Sequence, residues 1–311
     1  KWIGYLMSLL NIFNSKQEIK DTSNDLKSFL DDFSVEVMPR TAAKIDSFKD
    51  LLPSGARVYV AHLEGVKFNE MLHTAKRLKN EGFEVIPHFP ARIIKDKLML
   101  EDWISKYQSE ANVNQALLLA GGISKPYGAF ENSMQLVETE LFNKYKFKNL
   151  YFAGHPEGNK DIDPDGSSRN VHDAVLWKQN YNERTDIKLA LTTQFCFEAN
   201  PVIRWANELK KNGVDIPIHI GVAGPAKLQT LIKFSIACGV GPSLKVLQKR
   251  AMDITKLLLP YDPTDVLNEL AIGKPQNPTA NISNIHFFPL GGIKANAEWI
   301  SNNLTKKIMS A

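Results

Sequence analysis

The chain has 311 residues, of which 43% are hydrophobic and 23% are charged. This is the composition of a folded globular protein, and it excludes a disordered, collagen-like or low-complexity chain. The net charge of +4 is too weak to indicate a nucleic acid or an anionic membrane as partner. The length suits either two average domains or one α/β barrel of about 250 residues with additional segments.

The two cysteines, Cys196 and Cys238, cannot form a disulfide framework and belong to no zinc-binding motif. We therefore expect a reducing, cytoplasmic location and no metal site. The apolar stretch from Trp2 to Phe13 is shorter than the roughly 20 residues that a membrane-spanning helix needs. We predict that it forms an amphipathic helix within an N-terminal helical extension over residues 1–30.

Short apolar runs and amphipathic stretches alternate along the chain. Eight runs predict β-strands, at 33–38, 57–63, 83–89, 115–120, 149–154, 188–197, 216–222 and 285–290. Helical spacing of apolar residues predicts helices at 41–51, 67–81, 99–110, 132–146, 170–182, 200–212, 225–237 and 294–309. Basic residues followed by Gly82 and by Gly213 predict two of the helix ends. Strands that are apolar on both faces, each followed by a helix, are typical of a parallel sheet covered by helices. Eight such units predict a single (β/α)₈ TIM barrel.

The interval 240–283 is longer than one helix and its loops. We predict that it is a helical insertion before the last strand, with helices from Ser243 to Leu259 and from Thr264 to Ile272. Long insertions in barrels are often functional, and both a lid and a contact within a homo-oligomer are compatible with this one. No linker is evident, so we predict one domain over 1–311.

The carboxyl ends of the strands are where barrel enzymes place their active sites. Glu36 stands among apolar residues in the first strand, and burial of a carboxylate raises its pKa. A raised pKa suits a general acid near neutral pH, whereas a salt bridge to Arg40 is the alternative interpretation.

Other strand ends carry residues suited to binding a flat ligand. They include His88, the pair Gly121 and Gly122, His155 and Gln194. Glycine lets a ring or a phosphate approach the backbone closely, so these ends together predict a ligand-binding mouth.

Several motifs of other enzyme classes are absent. The sequence has no GxGxxG opening a helix after the first strand, no GxxxxGK[ST] and no HExxH, which argues against nucleotide triphosphate hydrolysis and zinc proteolysis. The segment NKDIDPDGSS at 159–168 resembles part of a calcium loop but lacks the closing glutamate, so we interpret it as a solvated loop.

Taken in order, the motifs resemble those of the methylenetetrahydrofolate reductase family from about Phe33 to Ile308. SVEVMPRT is similar to FEFFPPRT, PHF to PHLT, and AGHPEG to AAYPE. LTTQFCFEA, the most specific match, is similar to ITQFFFD. VDIPIHIGVAGPAKLQTLIKF and NIHFFPLGG resemble IPIIPGILPVSNFKQLKKF and FHFYTLNR.

The resemblance implies a flavin-containing barrel of one-carbon metabolism and methionine biosynthesis. It would interconvert 5,10-methylene- and 5-methyl-tetrahydrofolate by hydride transfer, with FAD as bound cofactor and NADH or NADPH as reductant. Glu36 matches the catalytic glutamate. The matching substrate-binding positions are Gln194, Phe234 and Lys294, and the matching cofactor-binding positions are His62, His88, Gly121, Gly122, His155 and Asp173.

Four of these matches have a structural alternative. Gln194 would otherwise bridge strands, Phe234 and His88 would be core residues, and Asp173 would be a charge at a helix N-terminus.

The sequence also departs from the family pattern. The family's strand-four Arg-Gly-Asp is Ala120-Gly121-Gly122, its Thr-Tyr pair is Ala61-His62, and a tyrosine is replaced by His155. The arginine after the last strand falls at Gly292, with Lys294 as a substitute nearby. These departures leave three alternatives open: a barrel that oxidises methyl-tetrahydrofolate, one that acts without tightly bound flavin, and a non-redox protein that binds folate or pterin. A sugar-phosphate isomerase on the same fold is a further alternative.

Overall fold

The chain forms a closed barrel of eight parallel strands in a computed structural model that describes residues 27, 30–239, 241–252, 260–276 and 281–305. Each strand pairs with the next along the chain, and β8 pairs with β1 to close the barrel. The strands are β1 Ser34–Val37, β2 Arg57–Val60, β3 Glu84–Pro90, β4 Gln115–Leu119, β5 Asn149–Gly154, β6 Lys188–Cys196, β7 Ile218–Ala223 and β8 Ile282–Phe288. The predicted (β/α)₈ architecture is confirmed.

Helices follow the strands and form the outer layer. They are α1 Pro39–Ala42, α2 Phe68–Asn80, α3 Lys97–Ala111, α4 Ser133–Glu138, α5 Leu141–Lys144, α6 Arg169–Asn182, α7 Ala199–Lys211, α8 Leu228–Ala237, α9 Gly241–Ala251, α10 Thr264–Gln276 and α11 Ile293–Thr305. Among the described residues, no helix combines the length and apolar character that crossing a membrane requires. The predicted helix from Trp2 to Phe13 lies outside the described residues.

Local signals in the sequence set most helix ends. Asp96 begins α3 by accepting a hydrogen bond from Met99 N at 2.8 Å, and Asn112 ends it in the left-handed conformation with φ 48°. The predicted ends of α2 and α7 are confirmed, because Gly82 and Gly213 follow these helices with φ of 93° and 77°.

Two predicted helices are wrong in extent. The 41–51 stretch is mostly turns after the four-residue α1, although Ile45, Phe48 and Leu52 are buried. These residues are spaced as in a helix because consecutive turns, and not a helix, pack them against the core. The 132–146 stretch is broken into α4 and α5 at Glu140, whose φ of 60° cannot continue a helix.

The insertion contributes helices α9 and α10 and is tied to the barrel. Residues 240, 253–259 and 277–280 of the predicted insertion lie outside the described residues. Ala226, after β7, pairs with Tyr261 through two backbone hydrogen bonds of 3.0 and 2.9 Å. The Tyr261 ring packs edge-on against Phe197, at 5.2 Å between centroids, so this part of the insertion lies over the carboxyl end of β6.

The main core lies between the strands and the helices. Outward-facing strand residues such as Val35, Val58 and Ile220 are fully buried there. Inside the barrel the apolar cluster is small and consists of Tyr59, Ile86, Leu117, Tyr151 and Ala190, with Leu119 packed against it. Much of the barrel interior is therefore left to polar side chains.

Candidate functional site

Polar and aromatic side chains meet inside the barrel. Tyr59 of β2 lies 4.4 Å from the ring of His286 of β8 and 5.4 Å from the ring of Tyr151 of β5, centroid to centroid. Tyr151 in turn lies 5.5 Å from the ring of His219 of β7. Because these strands are not all neighbours in the sheet, such contacts are made across the barrel axis.

Glu36 points into this interior. Its Oε2 lies 3.3 Å from Nε2 of His88 on β3 and 3.6 Å from Nε2 of His286 on β8. Both histidines are buried, whereas the Glu36 side chain keeps 20% of its surface exposed. The carboxylate is therefore held between two imidazoles and remains reachable from the mouth.

The pKa of Glu36 is lowered to about 2, so the predicted rise in its pKa is wrong. Burial alone would raise the pKa, as the sequence analysis assumed. The charge interaction with His88 and the hydrogen-bonding contribution of His286 and His88 outweigh burial and favour the carboxylate. The alternative partner, Arg40, is exposed.

His286 is a site residue that the sequence analysis missed. It is fully buried, and its Nδ1 lies 2.9 Å from Oγ of Ser34 on β1 while Nε2 faces Glu36. If Ser34 donates to Nδ1, the proton of the neutral ring is on Nε2, toward the carboxylate. The available signal was the alternation of β8, which places Asn284, His286 and Phe288 on one face.

A β-bulge in β6 positions Gln194. The register between β6 and β7 shifts between Thr192 and Phe195, and Thr193 Oγ1 accepts a hydrogen bond from Gly221 N at 2.8 Å. The Gln194 Oε1 accepts from the backbone N–H of Phe195 at 3.2 Å. Bulges of this kind re-aim a side chain next to an active site.

Replacing Gly221 by alanine should destabilise the protein. A Cβ at this position would lie 2.4 Å from Thr193 O and 2.6 Å from Gln194 O, which are backbone atoms of the bulge. We expect a loss of about 1–3 kcal/mol in the free energy of unfolding, measured by urea denaturation. Gly122→Ala is the control, since no atom lies within 4 Å of a Cβ there. Equal stability of both variants would contradict this account of the bulge.

An open pocket lies beside the bulge, between the ends of β5 and β6 and the end of α8. Its volume is about 490 Å³, counting the part open to solvent. The residues that line it are Gly154, His155, Pro156, Glu157, Gly158, Asn159, Gln194, Phe195, Cys196, Cys238 and Gly239. Two predicted site residues, His155 and Gln194, thus share one pocket.

His155 is neutral at physiological pH. Burial, with a smaller effect from the charge of Lys178, lowers its pKa to about 4. Its Nδ1 lies 3.5 Å from the amide nitrogen of Asn159, which can only donate, so the ring proton is on Nε2. His155 therefore presents an uncharged donor.

The other predicted substrate residues lie on α8 and α11. Phe234 is partly buried and packs on the apolar cluster that includes Phe195 and Leu231. Lys294 is exposed in the first turn of α11.

The predicted cofactor residues occupy different places. Gly121 and Gly122 follow β4, with φ of 99° at Gly121 and open space beside Gly122. His62 is stacked on Trp103 of α3, at 5.0 Å between centroids, and its Nε2 lies 3.0 Å from Val66 O. Asp173 is exposed on α6. The pocket and the His88 site contain neither His62 nor Asp173.

The segment 159–168, which was predicted to be a solvated loop, is held in place by contacts of its acidic side chains. Asp163 is buried and accepts hydrogen bonds from the backbone of Asn170 and Val171, at 2.9 and 3.0 Å, in the first turn of α6. Asp161 pairs with Arg92 at 2.8 Å. The acidic residues of this segment therefore cap a helix and tie two loops together. In the part of the chain that the structure describes, no group of three His, Cys, Asp or Glu is placed to hold a metal ion.

No protein-family model matches the sequence. In structure, the chain is similar to an uncharacterized protein from Clostridium thermocellum that binds two copies of 5-methyl-5,6,7,8-tetrahydrofolic acid. The TM-score is 0.57 at 12% sequence identity, and the match covers 89% of this chain and 95% of that chain. At this identity the similarity shows a shared fold.

Proposed function

We propose that the mouth of the barrel binds a tetrahydrofolate and that the protein interconverts its 5,10-methylene and 5-methyl forms by hydride transfer. FAD would be the bound cofactor, and NADH or NADPH the reductant. The observation that carries this proposal is the reachable Glu36 carboxylate between His88 and His286. A similar barrel that binds 5-methyl-tetrahydrofolic acid supports the class of ligand.

Because His88 and His286 flank Glu36, Glu36 itself would not hold the catalytic proton. Opening the methylene bridge requires a proton at the departing folate nitrogen. A carboxyl group with a pKa of about 2 does not store that proton at neutral pH. We therefore assign the proton transfer to the imidazole of His88, with the Glu36 carboxylate 3.3 Å away stabilising the imidazolium that forms. Burial lowers the pKa of His286, so that ring stays neutral and its role is to orient the carboxylate. In the reverse direction the His88 imidazole would accept the proton.

A bound flavin would supply the hydride, and its rings would have to stack on the substrate. The open space beside Gly122 is where this chain could let a flat ring approach closely, whereas Gly121 packs against Pro90. His62 contributes nothing there, because it packs against Trp103.

A second candidate function is tetrahydrofolate binding without redox chemistry. It is favoured by the positions of His62 and Asp173, two predicted cofactor residues that lie in neither the pocket nor the His88 site, His62 packing on Trp103 and Asp173 being exposed on α6. The similar barrel is likewise characterised by a folate that it binds.

A flavin spectrum followed by a folate titration tests both candidates. The purified protein is incubated with FAD, desalted, and examined for the flavin absorbance bands, and 5-methyl-tetrahydrofolate is then added without oxygen. Retained flavin that is bleached by the folate or by NADH or NADPH supports the oxidoreductase. A colourless protein that binds the folate supports the second candidate, and failure to bind any tetrahydrofolate overturns both.

A further inference from the structure

Asn159 is held in one orientation beside His155 in the pocket. Its Oδ1 accepts hydrogen bonds from the backbone N–H groups of Asp161 at 2.9 Å and of Ile162 at 3.4 Å. The NH₂ group is therefore the part of the amide that is left to face His155, and its nitrogen lies 3.5 Å from Nδ1 of that ring. The backbone of the turn thus decides which atom of the amide meets the imidazole.

The turn that holds Asn159 is anchored outside the pocket. Asp161 forms an ion pair of 2.8 Å with Arg92, in the loop after β3, and only 15% of the Arg92 side chain is exposed. Arg92 also donates hydrogen bonds to the carbonyl oxygens of Ile123 at 2.9 Å and Glu131 at 3.1 Å, in the loop after β4. The orientation of the Asn159 amide is therefore supported by contacts among the loops that follow three strands.

The fixed amide determines the tautomer of His155. An amide NH₂ group can only donate, so Nδ1 of the ring is the acceptor and Nε2 carries the proton. The ring is uncharged near neutral pH, because burial and, to a smaller extent, the charge of Lys178 lower its pKa to about 4. His155 lines the pocket, so Nε2–H is the group that the ring can offer to a ligand. An uncharged donor suits an uncharged carbonyl and brings no charge to neutralise a phosphate or a carboxylate.

The titratable groups around His155 belong to several elements. Lys178 approaches from α6, Glu157 belongs to the same loop as His155, and the thiols of Cys196 and Cys238 line the pocket from β6 and from the end of α8. Burial raises the pKa of both thiols, to about 11 for Cys238, so they are uncharged near neutral pH. Among these groups, Lys178 is the one whose charge lowers the pKa of His155.

We propose that Asn159 determines the specificity of the pocket: by fixing the tautomer of His155, it makes the pocket donate a hydrogen bond to an uncharged carbonyl on a planar ligand. Asn159 acts through His155 and is therefore a positioning residue. A tetrahydrofolate and a flavin both carry ring carbonyls. The choice of these ligands rests on the proposed function, and the test distinguishes the two.

Asn159→Asp tests the tautomer directly. An aspartate keeps a side-chain oxygen for the backbone of the turn but replaces the NH₂ donor by a second acceptor. Nδ1 of His155 must then carry the proton, which leaves Nε2 as an acceptor in the neutral ring, and the nearby carboxylate should raise the pKa of His155. The ¹⁵N chemical shifts of the imidazole, followed by NMR from about pH 8 to about pH 5.5, report both properties. We expect a protonated Nε2 and no titration of His155 in this range for the wild type, and a protonated Nδ1 with a titration at higher pH for the variant.

Ligand affinity provides a second measurement. 5-Methyl-tetrahydrofolate and FAD are each titrated by calorimetry on either side of the His155 titration that NMR finds in the variant. Above it, the variant should bind the ligand that contacts His155 about 10-fold or more weakly than the wild type does, because two acceptors then face each other. Below it, the imidazolium regains Nε2–H and most of the lost affinity should return. A purely structural defect would weaken binding at both pH values, and both proteins share Lys178, so its own titration does not affect the comparison.

Asn302→Asp is the matched control, since Asn302 is exposed on α11; it should keep the wild-type tautomer and affinities. The resonances of the other histidines show whether Asn159→Asp is folded. The inference is overturned if His155 has the same tautomer in the wild type and in Asn159→Asp, if neither ligand binds more weakly to the variant, or if the weakening is the same at both pH values. The ligand that follows the expected pattern is the one that occupies the pocket. A wild type that binds neither ligand would overturn the proposed function, whereas the NMR comparison would still decide the tautomer.

Discussion

Replacing Glu36 by glutamine should lower the turnover of methylene- or methyl-tetrahydrofolate by about 10²- to 10⁴-fold. The substitution keeps the shape of the side chain but removes the charge that stabilises a protonated His88 across 3.3 Å. Without that charge, a buried imidazole accepts a proton less readily. The measurement is the steady-state rate with NADH or NADPH, together with the folate affinity.

The folate affinity should change much less than the rate, because the charge that is lost acts on the proton that is transferred during turnover. Glu138→Gln, on the outer surface, is the control and should keep the wild-type rate. A Glu36→Gln variant with undiminished turnover would remove Glu36 from the chemistry. A variant that loses turnover and folate binding in equal measure would indicate a role in binding the ground state.

Acidification below about pH 6.5 should destabilise the protein steeply, because buried histidines must stay neutral in the folded state. Burial lowers the pKa of His219 to about 3, with smaller effects from the charges of Arg57 and His286. Between pH 6.5 and 3 the unfolded chain therefore binds a proton at this position and the folded chain does not. Each pH unit in that window costs about 1.4 kcal/mol for this residue, or about 3 kcal/mol at pH 4.5. This is a large part of a typical stability of 5–15 kcal/mol.

Other groups act in the same direction over their own ranges. His62, His155 and His286 also have lowered pKa values, with burial as the largest cause. Glu36 contributes stability that is present above pH 4.5 and is lost as the pH falls toward 2. The free energy of unfolding should therefore fall continuously as the pH drops below 6.5. Above pH 6.5 these groups make no pH-dependent contribution to it.

Urea denaturation at a series of pH values checks this expectation in the wild type and in His219→Gln. Between pH 6.5 and 3, the free energy of unfolding of the variant should depend less steeply on pH than that of the wild type, by about 1.4 kcal/mol per pH unit. This difference in slope does not depend on the stability of the variant at pH 7.5. His172→Gln is a matched control, because His172 lies on the outer helix α6 and is not buried. Parallel pH curves for the wild type and His219→Gln would contradict the burial of a neutral His219.

Much of the fold could be predicted from local patterns. Eight apolar runs separated by amphipathic stretches allow few arrangements other than a barrel, and the strands β1 to β8 lie close to the predicted runs. Helix ends marked by Gly82 and Gly213 were also predictable, because the left-handed conformation is a local property. Such patterns fail where apolar residues at helical spacing can arise either from a helix or from turns. At 41–51 they arise from turns, which bury residues at helical intervals.

Local patterns were enough to predict the eightfold alternation, the mouth at the carboxyl ends of the strands, and the presence of Glu36, His88, His155 and Gln194 at those ends. The ionised state of Glu36 depends instead on contacts that form only when the chain folds. Its partner His286 is 250 positions away in the chain, and closure of β8 onto β1 brings the two side chains to 3.6 Å. The pocket shared by Glu157, Gln194 and the end of α8 has the same origin, because a charge or a hydrogen bond depends on distance through space.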